Sequence, residues 1–199
     1  MSTTPVRRSS PTLGQAVAVN GGAVGIMWLL EIIDQMTFNS LDPFGITPRD
    51  PSELLAIFTA PWLHFGWGHL VSNSIPFIVL GVLIYLSGAT RWLVTFIVTA
   101  IVSGITVWLI SPPFTNTAGA SGVVFGFLTY LLVRGFFTRR IGQILIAVFV
   151  MMIYGGVLWG VLPVSSGVSW QGHLGGAIGG VLAAWLMHNR GERKAQYGV

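Results

Sequence analysis

The chain contains no cysteine. Disulfides, thiolate nucleophiles and thiolate metal sites are thereby excluded. Charge is scarce too. Asp, Glu, Lys and Arg make up 8% of the 199 residues, where a soluble domain carries about a quarter. No H-E-x-x-H motif is present, and the spacing of His64 and His69 places them poorly on one helical face, so zinc is not expected. The pI near 10.1 brings nucleic acid to mind. Yet the ten basic residues form no patch; they punctuate apolar runs, as loop charges do in a membrane protein. Nucleic acid is therefore not an expected partner.

What fills the chain is apolar. Hydrophobic residues make up 53% and the mean hydropathy is +0.75, values of an integral membrane protein embedded in a lipid bilayer. A spanning helix needs about 20 apolar residues. Six candidates occur, near residues 16–36, 69–87, 92–110, 120–136, 141–162 and 171–188. The stretch up to Pro11 has Arg7 and Arg8 but no compact apolar segment before a cleavage site, so the first run is read as a retained helix. The expected organisation is a tail over 1–12, an all-α membrane domain over 13–189 and a second tail over 190–199.

With six spans both termini share one side. That side receives Arg7, Arg8, Arg91, Arg134, Arg139, Arg140, Arg190, Arg193 and Lys194; the other receives only Arg49. This bias predicts cytoplasmic termini. The long outward connection over 37–68 interleaves Pro43, Pro48, Pro51 and Pro61 with Trp62, Phe65 and Trp67, a composition suited to the membrane interface.

Polar side chains inside a bilayer are costly and call for individual explanation. They are His69, Asn73, Ser121 and His173, with Glu31 and Asp34 near the outer end of the first span. The two acids are read as interfacial or paired within the bundle. Asn73 stands 15 residues from Gly88, Ser121 13 from Arg134 and His173 15 from His188. At the helical rise these counts correspond to roughly 20–23 Å above the inner boundary. Three spans thus bring polar groups to one level, about 7–10 Å below the outer surface.

Two of those spans are built to approach closely. Gly122/Gly126 on the fourth and Gly172/Gly176/Gly180 on the sixth are small-xxx-small faces. If the faces pack, Ser121 and His173 flank the contact. A serine hydroxyl becomes nucleophilic when an adjacent base accepts its proton. A neutral imidazole suits that task near pH 7. No carboxylate is available near either span, so packing must hold the histidine, and Phe125, one turn after Ser121, is placed to stack on it. Asn73, His69 and the Ser121 backbone N–H are candidate donors to a developing oxyanion. The irregular stretch 111–119 offers a route for water, since such backbone is tolerated at membrane depth only beside protein or a wet cavity.

Three segments carry a family resemblance. His64-Phe-Gly-Trp-Gly-His69-Leu-Val-Ser-Asn73 is similar to the histidine-rich start of the second span in rhomboid intramembrane proteases, with its H-x-x-x-N. Gly119-Ala-Ser121-Gly122 resembles their G-x-S-G. Gly172-His173-Leu-Gly175-Gly176 resembles their small-residue-flanked histidine. The resemblance covers about residues 50–188. It implies a six-helix rhomboid-like bundle with a long first loop, in which Ser121 is the nucleophile and His173 the base. It further implies His69 and Asn73 as oxyanion-hole residues and His64 as a supporting residue. It implies cleavage of single-span or multi-span membrane proteins, without cofactor or metal, by an enzyme of the plasma or inner membrane whose site opens outward. Two departures stand out. Many rhomboids have Trp-Arg in the first loop shortly after an acidic residue; here Leu55-Ala56 follow Glu53-Leu54. The aromatic after the nucleophile is often Tyr and here is Phe125. The competing readings are a rhomboid-like pseudoprotease that binds without cutting, and a proton-coupled transporter using Glu31, Asp34 and the histidines. The absence of an inverted repeat speaks against the transporter.

Overall fold

A computed structural model describes the backbone of residues 10–163 and 167–197, with side chains as far as His188. Arg7, Arg8 and the side chains of Arg190, Arg193 and Lys194, on which the expected orientation partly rests, lie outside the described residues. The described chain is all-helical. Its seven α-helices are α1 (Leu13–Met36), α2 (Ala56–Thr59), α3 (Trp67–Leu86), α4 (Ala89–Ile110), α5 (Ser121–Thr138), α6 (Ile141–Tyr154) and α7 (Trp170–Tyr197). Among the described residues five helical segments are long and apolar enough to cross a membrane: α1, α3, α4, α5 and Ile141–Val161.

Local chemistry sets the ends. Thr12 and Gln15 form a reciprocal capping box that starts α1. Arg139, left-handed at φ 51°, ends α5. Two differences from the sequence reading concern helix ends. The fifth apolar run is not one continuous α-helix: after Tyr154 it tightens into a 3₁₀ segment, Gly155–Val161. The last helix does not stop at residue 188 but runs on to Tyr197.

α5 lies at the centre. Phe127, Leu128 and Tyr130 on it are fully buried, packed with Met27 of α1 and with Phe77, Leu80 and Ile84 of α3. α7 packs along both α5 and α4. α6 lies outermost; only Ala147 and Val150 of its residues are buried.

Glycine makes the α5–α7 contact possible. A Cβ at Gly176 would overlap the carbonyl oxygen of Gly122, and one at Gly180 that of Gly126. Polar bonds then lock the helices: Ser103 Oγ donates to Gly172 O (2.8 Å) and Thr129 Oγ1 to Ala177 O (2.8 Å). Trp92 Nε1 donates to Asn20 Oδ1 (2.9 Å) and Trp28 Nε1 to Ser74 Oγ (3.1 Å), tying α1 to α4 and α3. Each such bond contributes about 0.6 kcal/mol between membrane helices.

Candidate active site

Ser121 is the first residue of α5, and the segment leading to it is pinned at successive points. Ile46 and Thr117 exchange backbone hydrogen bonds (2.8 and 3.1 Å). Gly119 N–H donates to Ala60 O (2.8 Å), and Ala120 N–H donates to His64 Nε2 (3.4 Å). Gly119 has φ +121°, and a Cβ there would lie 2.6 Å from His69 Cε1. Both the backbone conformation and the space require glycine. No side chain caps α5. Its first N–H groups have no intrahelical acceptor and so remain available as donors.

His173 enters from the first turn of α7. Its ring stacks on Phe125 with centroids 4.1 Å apart and planes 11° apart. Its Nδ1 lies 2.9 Å from Gly160 O. A carbonyl oxygen can only accept, so Nδ1 carries the proton and Nε2 keeps its lone pair. Gly160 itself is held close: a Cβ there would stand 2.9 Å from Phe125 Cζ and 3.1 Å from His173 Nδ1.

α3 supplies the third wall. Asn73 is buried and donates one amide hydrogen to His69 O (3.1 Å), leaving the other free to serve a ligand. His69 Nδ1 accepts from Phe65 N–H (3.4 Å). In the neutral ring Nε2 then bears the proton and is a donor.

The structure brings these groups to one place. Ser121, His173, Asn73, His69 and Phe125 all line a cavity of about 810 Å³, whose wall also includes Ser111, Pro112 and Thr115 to Ala118 of the irregular stretch. Ser121 Oγ and His173 share no hydrogen bond in this arrangement; both border the common cavity. The other glycines singled out in the sequence, Gly122, Gly172 and Gly176, lie in the α5–α7 contact beside the cavity. Glu31 and Asp34, read as interfacial or paired within the bundle, lie in the last turns of α1. Both are buried, Glu31 accepting from Gln35 Nε2 (3.0 Å) and Asp34 from Leu41 N–H (2.6 Å).

His64 stands outside this cavity, in the loop before α3. Burial, with a further push from His69, lowers its pKa from 6.5 to about 4. The folded state therefore resists protonation that the unfolded chain accepts. The stability this provides is complete above pH 6.5 and is lost as the pH falls toward 4. The shift corresponds to about 3 kcal/mol. Protonation would also turn Nε2 into a donor, and the Ala120 N–H would lose its acceptor. Thermal unfolding in detergent is expected to show a falling midpoint across that window, with a flatter profile for His64→Gln. An equal acid response in the variant would remove His64 as its source.

Sequence reasoning missed two participants. The Gly160 carbonyl is a backbone atom, and it lies in the 3₁₀ segment that follows α6. The sole hint was the glycine-rich Gly155-Gly156 and Gly160 at the end of an otherwise apolar run. The Ala120–His64 bond joins two segments whose pairing no spacing rule predicts.

A family model described as Rhomboid domain matches residues 51–190 of the chain. An uncharacterized protein of Mycobacterium tuberculosis is 43% identical over 181 residues, covering 87% of this chain and 75% of that protein. Rhomboid protease GluP of Bacillus subtilis is 32% identical over 128 residues, covering 61% of this chain and 24% of that protein. Putative rhomboid protease YdcA of the same organism is 29% identical over 140 residues, covering 69% of each.

Proposed function

We propose, from the premise that the chain belongs to the rhomboid family, that this multi-pass membrane protein is a serine endopeptidase acting on membrane-spanning protein substrates. The single observation that carries the reading is the hydrogen bond from His173 Nδ1 to Gly160 O. It does for the imidazole what a carboxylate does in a triad: it selects the tautomer and holds the ring, leaving Nε2 as a base beside the cavity that Ser121 lines.

In this reading Ser121 Oγ attacks the scissile carbonyl while His173 Nε2 takes its proton. The oxyanion is met by the Ser121 N–H, the free amide hydrogen of Asn73 and the Nε2–H of His69. The imidazolium passes its proton to the leaving amine, and the carboxy-terminal fragment departs with its new amino terminus, leaving the amino-terminal fragment as an acyl ester on Ser121. Water entering along residues 111–118 gives a proton to His173 as its oxygen attacks the acyl carbonyl; the ester bond to Ser121 Oγ then breaks, the imidazolium returns the proton to Oγ, and the amino-terminal fragment leaves with a new carboxyl group. The separation between Ser121 and His173 is not an obstacle, since catalytic hydrogen bonds commonly tighten as a substrate seats. α7 serves as the sixth span, packed along α5 and α4 through its glycine face. The termini face the cytoplasm and the cavity opens to the opposite side of a plasma or inner membrane.

The test is cleavage of a model single-span substrate by the detergent-solubilised protein, beside Ser121→Ala and His173→Ala. Cleavage that survives either substitution removes the dyad. No cleavage of varied substrates by the folded protein points instead to a binder that does not cut. Asn73→Ala is expected to lower kcat by about 10²–10³, the usual cost of one oxyanion donor. A rate near that of the parent would assign the oxyanion to the remaining donors.

A further inference from the structure

The first span carries a buried acid that the mechanism above does not use. Glu31 is 2% exposed and its Oε2 has no hydrogen-bond partner. His64 is also 2% exposed and its Nδ1 has no partner. Both residues line the same small cavity, together with Asp34, Asp42, Leu41 and Leu63.

The two orphan atoms are complementary. His64 Nε2 accepts the Ala120 N–H, so in the neutral ring Nδ1 must carry the proton. A buried donor without an acceptor therefore lies across a cavity from a buried acceptor without a donor. Each unpaired group costs about 1–3 kcal/mol, so the arrangement favours their meeting. The cavity has no room for a bridging water molecule, and the Trp62 backbone beside His64 is the competing acceptor. Asp34 Oδ1 is engaged by the Leu41 N–H, and the Asp34 and Asp42 side chains interact with each other.

We propose that Glu31 is a positioning residue of the reaction centre: it accepts a direct hydrogen bond from His64 Nδ1 and so holds the ring in the tautomer that receives the Ala120 N–H. This rests on the reading of Ser121 as nucleophile. A chain of contacts then runs from α1 through His64 to the residue just before Ser121, fixing where the serine and its oxyanion-binding N–H sit. The link needs no ion pair. A neutral carboxyl oxygen accepts as a carboxylate oxygen does, so the low pKa of His64 is undisturbed. It also explains why an acid is tolerated inside the first span, where an unpaired one is costly.

Two measurements on the full chain test this. ¹⁵N-histidine NMR in micelles, with the His64 signals assigned by their loss in His64→Gln, reads the tautomer without any substrate. The wild-type ring should be protonated at Nδ1, and Glu31→Ala should shift it toward a mixture. A wild-type ring protonated at Nε2 would overturn the proposal, as would a tautomer indifferent to Glu31→Ala. Kinetics per fluorophosphonate-titrated site form the second arm. Glu31→Ala should lower kcat about tenfold with KM unchanged, the effect of a displaced reacting group. Glu31→Gln, which keeps an acceptor oxygen, should restore most of it. A purely structural role would reduce the folded fraction and leave kcat per site unchanged, which also overturns the proposal. Cleavage persisting in Ser121→Ala would defeat the serine assignment alone, because the NMR result does not depend on it.

Discussion

Ser121→Ala is expected to lower cleavage by at least about 10⁴-fold, and His173→Ala by a similar factor. The size follows from the role proposed for each side chain. Without the hydroxyl no acyl-enzyme can form, and water is left to attack unaided. Without the imidazole the hydroxyl keeps its proton at the moment of attack, and the leaving amine lacks an acid. The two changes disable one unit, so the double variant should be scarcely worse than either single one. Additive losses would mean that serine and histidine serve separate steps. The Phe125 stack and the Gly160 hydrogen bond are the supports of this unit. Among the described residues the histidine has no carboxylate partner, so the ring depends on a planar neighbour and a backbone carbonyl for both orientation and tautomer.

The second large effect concerns the contact that brings the unit together. Gly176→Ala is expected to destabilise the folded bundle by about 3 kcal/mol, at the upper end of what overpacking usually costs. The added Cβ meets the carbonyl, carbon and oxygen, of Gly122, and its own carrier is backbone as well. Neither side has a flexible tip that can swing away, so α5 and α7 must separate. His173 lies three residues before Gly176 and Ser121 one before Gly122, so separation moves both reacting groups. Activity should fall with stability. Gly142→Ala is the matching control, because a Cβ there meets nothing within 4 Å. Unfolding titrations in mixed micelles read both variants. A Gly176→Ala protein as stable as its parent would show that the close approach is dispensable.

Much of the architecture was legible because a bilayer restricts the choices. Backbone groups must be satisfied within each span, so long apolar runs read directly as helices. The glycine spacing announced which helices touch, and the cost of polar groups in lipid drew attention to Asn73, Ser121 and His173. Other features were hidden for physical reasons. Hydropathy cannot distinguish α from 3₁₀ winding, so the turn at Gly155–Val161 and the carbonyl it aims at His173 were invisible. The pinning of the segment before Ser121 by Ile46, Ala60 and His64 consists of backbone and long-range bonds, which have no local periodicity. The surroundings of Glu31 were hidden for a related reason. Its position near a helix end left it interfacial or paired within the bundle, and the cavity it shares with Asp42 and His64 of the following loop has no local periodicity to announce it.

The most direct measurement of the central claim is mass spectrometry of the protein after exposure to a fluorophosphonate probe. Activated serine hydroxyls react with such probes and ordinary ones do not. The account predicts a single adduct on Ser121, formed readily by the parent chain and absent from folded His173→Ala. An adduct on another residue, or labelling of Ser121 that proceeds unchanged without the imidazole, would contradict it.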